Sequence, residues 1–163
     1  VPSPWQEGFA LDEVLDRALA CAALPAAGGP LLARRRCADR LRGRPERVVA
    51  ALVALLRMAA LAEGGGARAN FVRIESFSAG GMIQVCIHRG PGRLQGAGIT
   101  RGAHARAALA LASEVAREHG GELAMVPRLP CGELIVLTLP RARLHGRPAP
   151  LAAPAALHEE GLA

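Results

Sequence analysis

The sequence predicts a two-layer α/β sandwich, a mixed and mostly antiparallel sheet with helices on one face. Three observations point there. Residues 47–63 and 103–118 carry apolar side chains at helical spacing, long enough to lie across a sheet. Residues 72–75 and 83–88 alternate apolar with polar and flank a short Ser78-Ala79-Gly80-Gly81 turn, the signature of a hairpin. A second such pair, 122–126 and 133–139, follows the last helix. Hairpins give antiparallel neighbours, and one-sided helices need a sheet face to bury their stripe.

Each element has its own local reason. Residues 1–8 hold two prolines and no periodic pattern, so they read as a lead-in. Leu11, Val14, Leu15, Ala18 and Leu19 share a helical face, with Asp12 and Glu13 placed to favour the positive end of a helix dipole. A Pro/Gly-rich break covers residues 24–30. Residues 31–41, with Arg34, Arg35 and Arg36, read ambiguously, a charged edge strand among the readings. The next helix starts near Pro45, welcome in a first turn, and ends at Gly64-Gly65-Gly66. Val49, Leu52, Val53, Leu56 and Ala60 form its apolar face. A Gly-rich loop spans 90–98, and Gly120-Gly121 closes the third helix. Residues 141–163 are rich in Pro, Ala and Gly and read as a mobile tail with a short helix near Leu157. The expected organisation is a lead-in over 1–8, a domain over 9–140 and a tail over 141–163.

At 163 residues the chain can bury a core without staples. The hydrophobic fraction is 51% but the aromatic fraction is only 2%, so Ala, Leu and Val must fill that core and helices must approach closely. All 20 residues counted as Lys+Arg are Arg, a mark of GC-rich coding before it is a functional signal. The net charge of +6 favours anionic partners, whether acidic proteins, phosphates or nucleic acid. Nucleic acid is the weaker of these, because no aromatic residues interleave with the arginines as stacking platforms. Its best candidate is the run Arg34, Arg35, Arg36, Arg40, Arg42 and Arg44. Cys21, Cys37, Cys86 and Cys131 are scattered without a paired spacing, which argues against zinc or a disulfide framework and for small, buried, reduced thiols. No apolar run reaches membrane-spanning length, so the expected location is cytoplasmic.

Three stretches together resemble the histidine-kinase-like ATPase family, often called GHKL. Residues 43–62, opening Gly43-Arg44-Pro45-Glu46-Arg47, look like the helix that carries the family's asparagine box. Residues 83–92, ending His88-Arg89-Gly90-Pro91-Gly92, look like the strand and first glycine box. Residues 107–121, with the His119-Gly120-Gly121 end, and the strand Gly132 to Pro140 look like the closing helix and final hairpin. The resemblance covers about residues 9–140 and implies the family's Bergerat-type sandwich.

The resemblance also implies a site, and this chain departs from it. Met58 stands where the family places its magnesium-binding asparagine, and a thioether is a poor ligand for a hard cation. Ala54 stands one turn earlier, where relatives carry a general base or a second asparagine. His88, followed by Arg89, stands for the aspartate that accepts from the adenine amino group; Gly90 and Gly92 remain. Arg106 and Ala108 fall on the glycines that let backbone N–H groups approach phosphates.

These departures lead to the expectation that the chain is not an enzyme, holds no cofactor or metal and has lost most ATP binding. It is expected to act as a regulatory, protein-binding domain in bacterial signalling or transcription control. The partner would be a response regulator, a kinase or a transcription factor. One alternative is a metal-free anion or nucleotide site built from Arg89, Arg93, Arg101, His104 and Arg106, since arginine can grip phosphate bidentately. A second is a basic nucleic-acid-binding regulator.

Overall fold

The structure is a computed structural model that describes residues 6–23, 31–34, 39–60, 71–89, 102–127 and 133–142. Among them, a five-stranded sheet runs in the order β2-β4-β5-β7-β6: β2 (Leu31–Arg34), β4 (Phe71–Ala79), β5 (Met82–Arg89), β7 (Glu133–Pro140) and β6 (Glu122–Pro127). The β4–β5, β5–β7 and β6–β7 pairs are antiparallel, and β2 joins the edge parallel to β4. Three helices, α1 (Leu11–Ala22), α2 (Pro45–Ala60) and α3 (Ala103–Glu118), form the second layer. The expected sandwich of a mixed, mostly antiparallel sheet under one helical layer is the observed one.

The core lies between those layers. Ile83, Val85 and Ile87 of β5 and Ile135, Leu137 and Leu139 of β7 turn to the helices and are fully buried. Leu52, Leu55 and Leu56 of α2 meet them from above. Each such side chain contributes about 2 kcal/mol by leaving water. Alanines at the helix contacts, Ala51, Ala59, Ala112 and Ala116, let the layers close without aromatic filler. Arg57 reaches back from α2 to the carbonyls of Cys21 (2.9 Å) and Ala22 (3.4 Å), satisfying acceptors that the end of α1 leaves open.

A second, two-stranded sheet pairs β1 (Gln6–Ala10) with β3 (Arg40–Gly43). The lead-in reading missed β1, because a strand of five residues beside two prolines carries too few alternations to show a period. The pairing also extends past the expected domain end. Arg141 bridges Leu41, its amide donates to Gly81 O (2.8 Å), and its guanidinium holds the buried Asp39 at 2.8 Å. The Ala142 amide donates to Arg40 O (2.8 Å), and the Leu11 amide to Asp39 O (3.1 Å). The expected helix near Leu157 lies outside the described residues.

Candidate functional site

Helix directions fix which residues lie at each end of the sheet. The α3 end is pinned by His119: its buried ring has Nδ1 2.7 Å from Val115 O, and its Nε2 accepts from the Arg44 amide (3.0 Å). With a carbonyl at Nδ1 and an N–H at Nε2, the ring is the neutral tautomer protonated on Nδ1. Arg44 immediately precedes α2, so α2 begins where α3 ends. Gly121 packs on the Thr138 carbonyl and Gly120 beside Pro140, which sets the same end against the finish of β7. A 16-residue helix spans about 24 Å and an eight-residue strand about 27 Å. The start of α3 and the finish of α2 therefore lie over the opposite end of the sheet, where β5 finishes at Arg89 and β7 begins at Glu133.

At that end strand parity decides what faces the helices. Ile83, Val85 and Ile87 point inward, so the next inward position is Arg89; on β7, Ile135 points inward, and so does Glu133. Arg89 and Glu133 are direct cross-strand partners. Such partners have Cβ atoms about 5 Å apart. Both are half-buried. Burial pushes the Arg89 guanidinium below its ordinary value, and the Glu133 carboxylate opposes that shift. Arg89 Nε is buried with no hydrogen-bond partner among the described residues.

His88 faces the other way. Sequence reading placed His88 and Arg89 at one pocket, but adjacent residues of a strand point to opposite faces. His88 pairs with Arg73 in register and has Nε2 3.1 Å from Glu75 Oε2, on the sheet side away from the helices. That distance suits an ion pair once the imidazole is protonated, although the geometry is out of line for a hydrogen bond.

The helix positions also separate. Met58 is only 2% exposed and belongs to the apolar core, while Ala54 packs against its margin. A thioether and a methyl group do not fit a magnesium site. Ala108 is buried in the core, whereas His104 and Arg106 are exposed in the first turn of α3. The N-cap of that helix, Gly102, makes no side-chain cap, and its carbonyl accepts from the Arg106 amide (3.1 Å). Gly90, Gly92, Arg93 and Arg101 lie outside the described residues, as do Arg35 and Arg36 of the basic run. Among the described residues no group of three or more His, Cys, Asp or Glu could hold a metal ion. Cys86 is buried as expected, but Cys21 is exposed near the end of α1; Cys37 and Cys131 lie outside the described residues.

This arrangement can be compared with solved structures. A mycobacterial sensor histidine kinase, MprB, is 20% identical, with 85% of this chain and 99% of that chain covered and a TM-score of 0.63. The ATP-binding domain of PrrB from Mycobacterium tuberculosis is 21% identical over 83% of this chain and 97% of that chain, TM-score 0.61. The chain has the histidine-kinase ATP-binding fold. The catalytic domain of the histidine kinase ThkA shares it at 15% identity over 84% of this chain and 97% of that chain, TM-score 0.57. No protein-family profile and no curated protein matches the chain. The expectation that the chain is not an enzyme is corrected by these likenesses, because the domains that share the histidine-kinase ATP-binding fold are kinase domains, one of them named as catalytic. The departures at Ala54 and Met58 concern particular side chains and do not remove the chain from that class of fold. No helix among the described residues is long and apolar enough to cross a membrane.

Proposed function

We propose that this is a cytoplasmic regulatory domain of a bacterial two-component signalling protein, working through contact with a protein partner and without the magnesium-dependent ATP grip of the family. The observation that carries the reading is Met58. Its side chain is part of the apolar core at the position where the resemblance calls for an oxygen ligand to magnesium. The net charge of +6 suits an acidic partner, such as a response regulator, and would speed encounter at low salt. Calorimetric titration with ATP, with and without Mg²⁺, tests the first half. Equal and negligible heats support it; micromolar binding that requires magnesium overturns it. Titration with an acidic receiver domain at rising salt tests the second.

A second reading is favoured by Arg89. A half-buried guanidinium on the inner face of the sheet supports binding of a nucleotide or another anion without a metal. Arg89 would then stand where the family's adenine acceptor stands, a role that sequence comparison had given to His88. Binding that persists in chelator and is lost in Arg89→Ala is the expected result. Binding unaffected by Arg89→Ala removes this reading.

A further inference from the structure

A sheet edge is where a fold can still take on another strand, and β6 is an edge without defences. Among the described residues it pairs only with β7, so one side of its backbone carries N–H and C=O groups that no described strand satisfies. Its register runs unbroken from Glu122↔Thr138 to Pro127↔Glu133, with no bulge to twist the edge away. No charge interrupts Leu123-Ala124-Met125-Val126, and every residue of the strand is exposed or half-buried. By contrast, β3 carries the exposed charges of Arg40 and Arg42.

Strand parity gives that edge two apolar rows. Leu123 and Met125 stand opposite Leu137 and Ile135 and face the helices; Ala124 and Val126 stand opposite Val136 and Leu134 on the outer face. Val126 is 45% exposed, which leaves apolar surface at the edge for a partner to cover. Helix α3 supplies charge. It packs on β6 and β7 while α2 packs on β4 and β5, and its acids Glu114 and Glu118 are turned to Arg47 of α2. The row Leu109, Ser113 and Arg117 lies about 100° round the helix from those acids, on the flank toward the β6 edge. Arg117 is exposed, has no ion-pair partner among the described residues and sits in the last turn, where the chain is about to enter β6.

We propose that the β6 edge takes up an extended acidic segment of a protein partner, which adds to the five-stranded sheet as a further strand. The inference rests on the acidic-partner reading above. Backbone groups at strand spacing recognise another strand, and side chains at alternate positions select which one. On the helix side the added strand meets Leu109, Leu123 and Met125, so it needs apolar residues there; at the Arg117 end it needs a carboxylate. A second copy of this chain fits less well. Pairing β6 with its own kind about a two-fold axis brings together two chains of charge +6 and turns the Arg117 flank of each α3 toward the other.

The test is fluorescence-polarisation titration of the whole chain with labelled peptides. The first is Glu-Thr-Val-Thr-Val-Thr-Glu, capped at both ends; the second has Lys for both Glu; two more are the acidic peptide N-methylated at alternate residues, one in each phase. The acidic peptide should bind at least about threefold more tightly than the lysine form, and Arg117→Glu should reverse that order, with circular dichroism checking that the variant keeps the fold. N-methylation should abolish binding in one phase and spare it in the other, because only one edge of the added strand faces β6. Equal binding by the two charge forms, equal binding by the two N-methylated forms, or no binding by any peptide overturns the inference. So does a dimer in sedimentation that Val126→Arg dissolves, since the edge then belongs to a second copy. An acidic receiver domain that binds, yet is neither displaced by the acidic peptide nor weakened by Arg117→Glu, overturns the β6 site and leaves the acidic-partner reading standing.

Discussion

His119→Ala is the substitution that most directly tests how the helical layer is held. The ring is buried and spans two elements, contacting the Val115 carbonyl within α3 and accepting the Arg44 amide at the threshold of α2. Removing it loses two hydrogen bonds at about 1 kcal/mol each. The Arg44 N–H is then left without its acceptor in a partly buried place, a cost of about 1–3 kcal/mol unless water enters. The vacated ring volume adds a further penalty that depends on how far α2 and α3 can close over it. A loss of about 3 kcal/mol is expected in urea unfolding followed by circular dichroism, with the m-value unchanged. Hydrogen exchange supplies the local signature, with faster exchange at the Arg44 amide than at amides of β5. A loss below about 1 kcal/mol, or exchange that speeds up uniformly, would refute the view that this ring is the pin between the helices.

Two further predictions follow from the same layer. Arg47 bonds Glu114 (2.9 Å) and Glu118 (2.9 and 3.2 Å); its hydrogen bond holds the Glu118 carboxyl below the ordinary value, and Glu118 in turn raises Arg47. A lowered carboxyl stabilises the fold above its unfolded pKa and loses that contribution as pH falls through the folded value. Thermal midpoints should therefore drop on acidification below the normal glutamate range, less steeply in Arg47→Ala, and high salt should shrink the difference because the groups are exposed. Gly121→Ala would drive a methyl group into the Thr138 carbonyl, backbone against backbone, where no side chain can swing aside. It should cost at least about 3 kcal/mol in the same urea assay; Gly81→Ala is the comparison, since there the methyl meets open space and only its positive φ is strained.

The three helices were legible because each carries a long apolar stripe, from Leu11 through Leu19, Val49 through Ala60, and Ala105 through Val115. The two hairpins were legible because their alternation survives in Ile83, Val85 and Ile87 and in the run to Leu139. The small sheet was not, since β1 and β3 are short and β3 reads Arg-Leu-Arg-Gly, with a single apolar side chain. At the site, the resemblance gave the adenine acceptor's place to His88, while strand alternation turns His88 to the outer face and Arg89 to the inner one. Both signals were in the sequence, and a strand cannot turn one residue without turning the rest. Glu133 went unnoticed because nothing along the chain marks it. Its meaning comes only from the β7 register that sets it opposite Arg89.

The attachments around Arg141 and Ala142 have a mechanical consequence. Two amide bonds and one ion pair fasten the chain, just beyond β7, to Gly81, Arg40 and Asp39. Asp39 is also the residue whose carbonyl receives the first amide of α1. A tug on the segment after Ala142 would thus load β3 and the root of α1 before it reached the strand that carries Glu133. The anchorage works as a strain relief: load arriving at Ala142 is taken up by β3 and the root of α1, and the Arg89–Glu133 end of the sheet keeps its register.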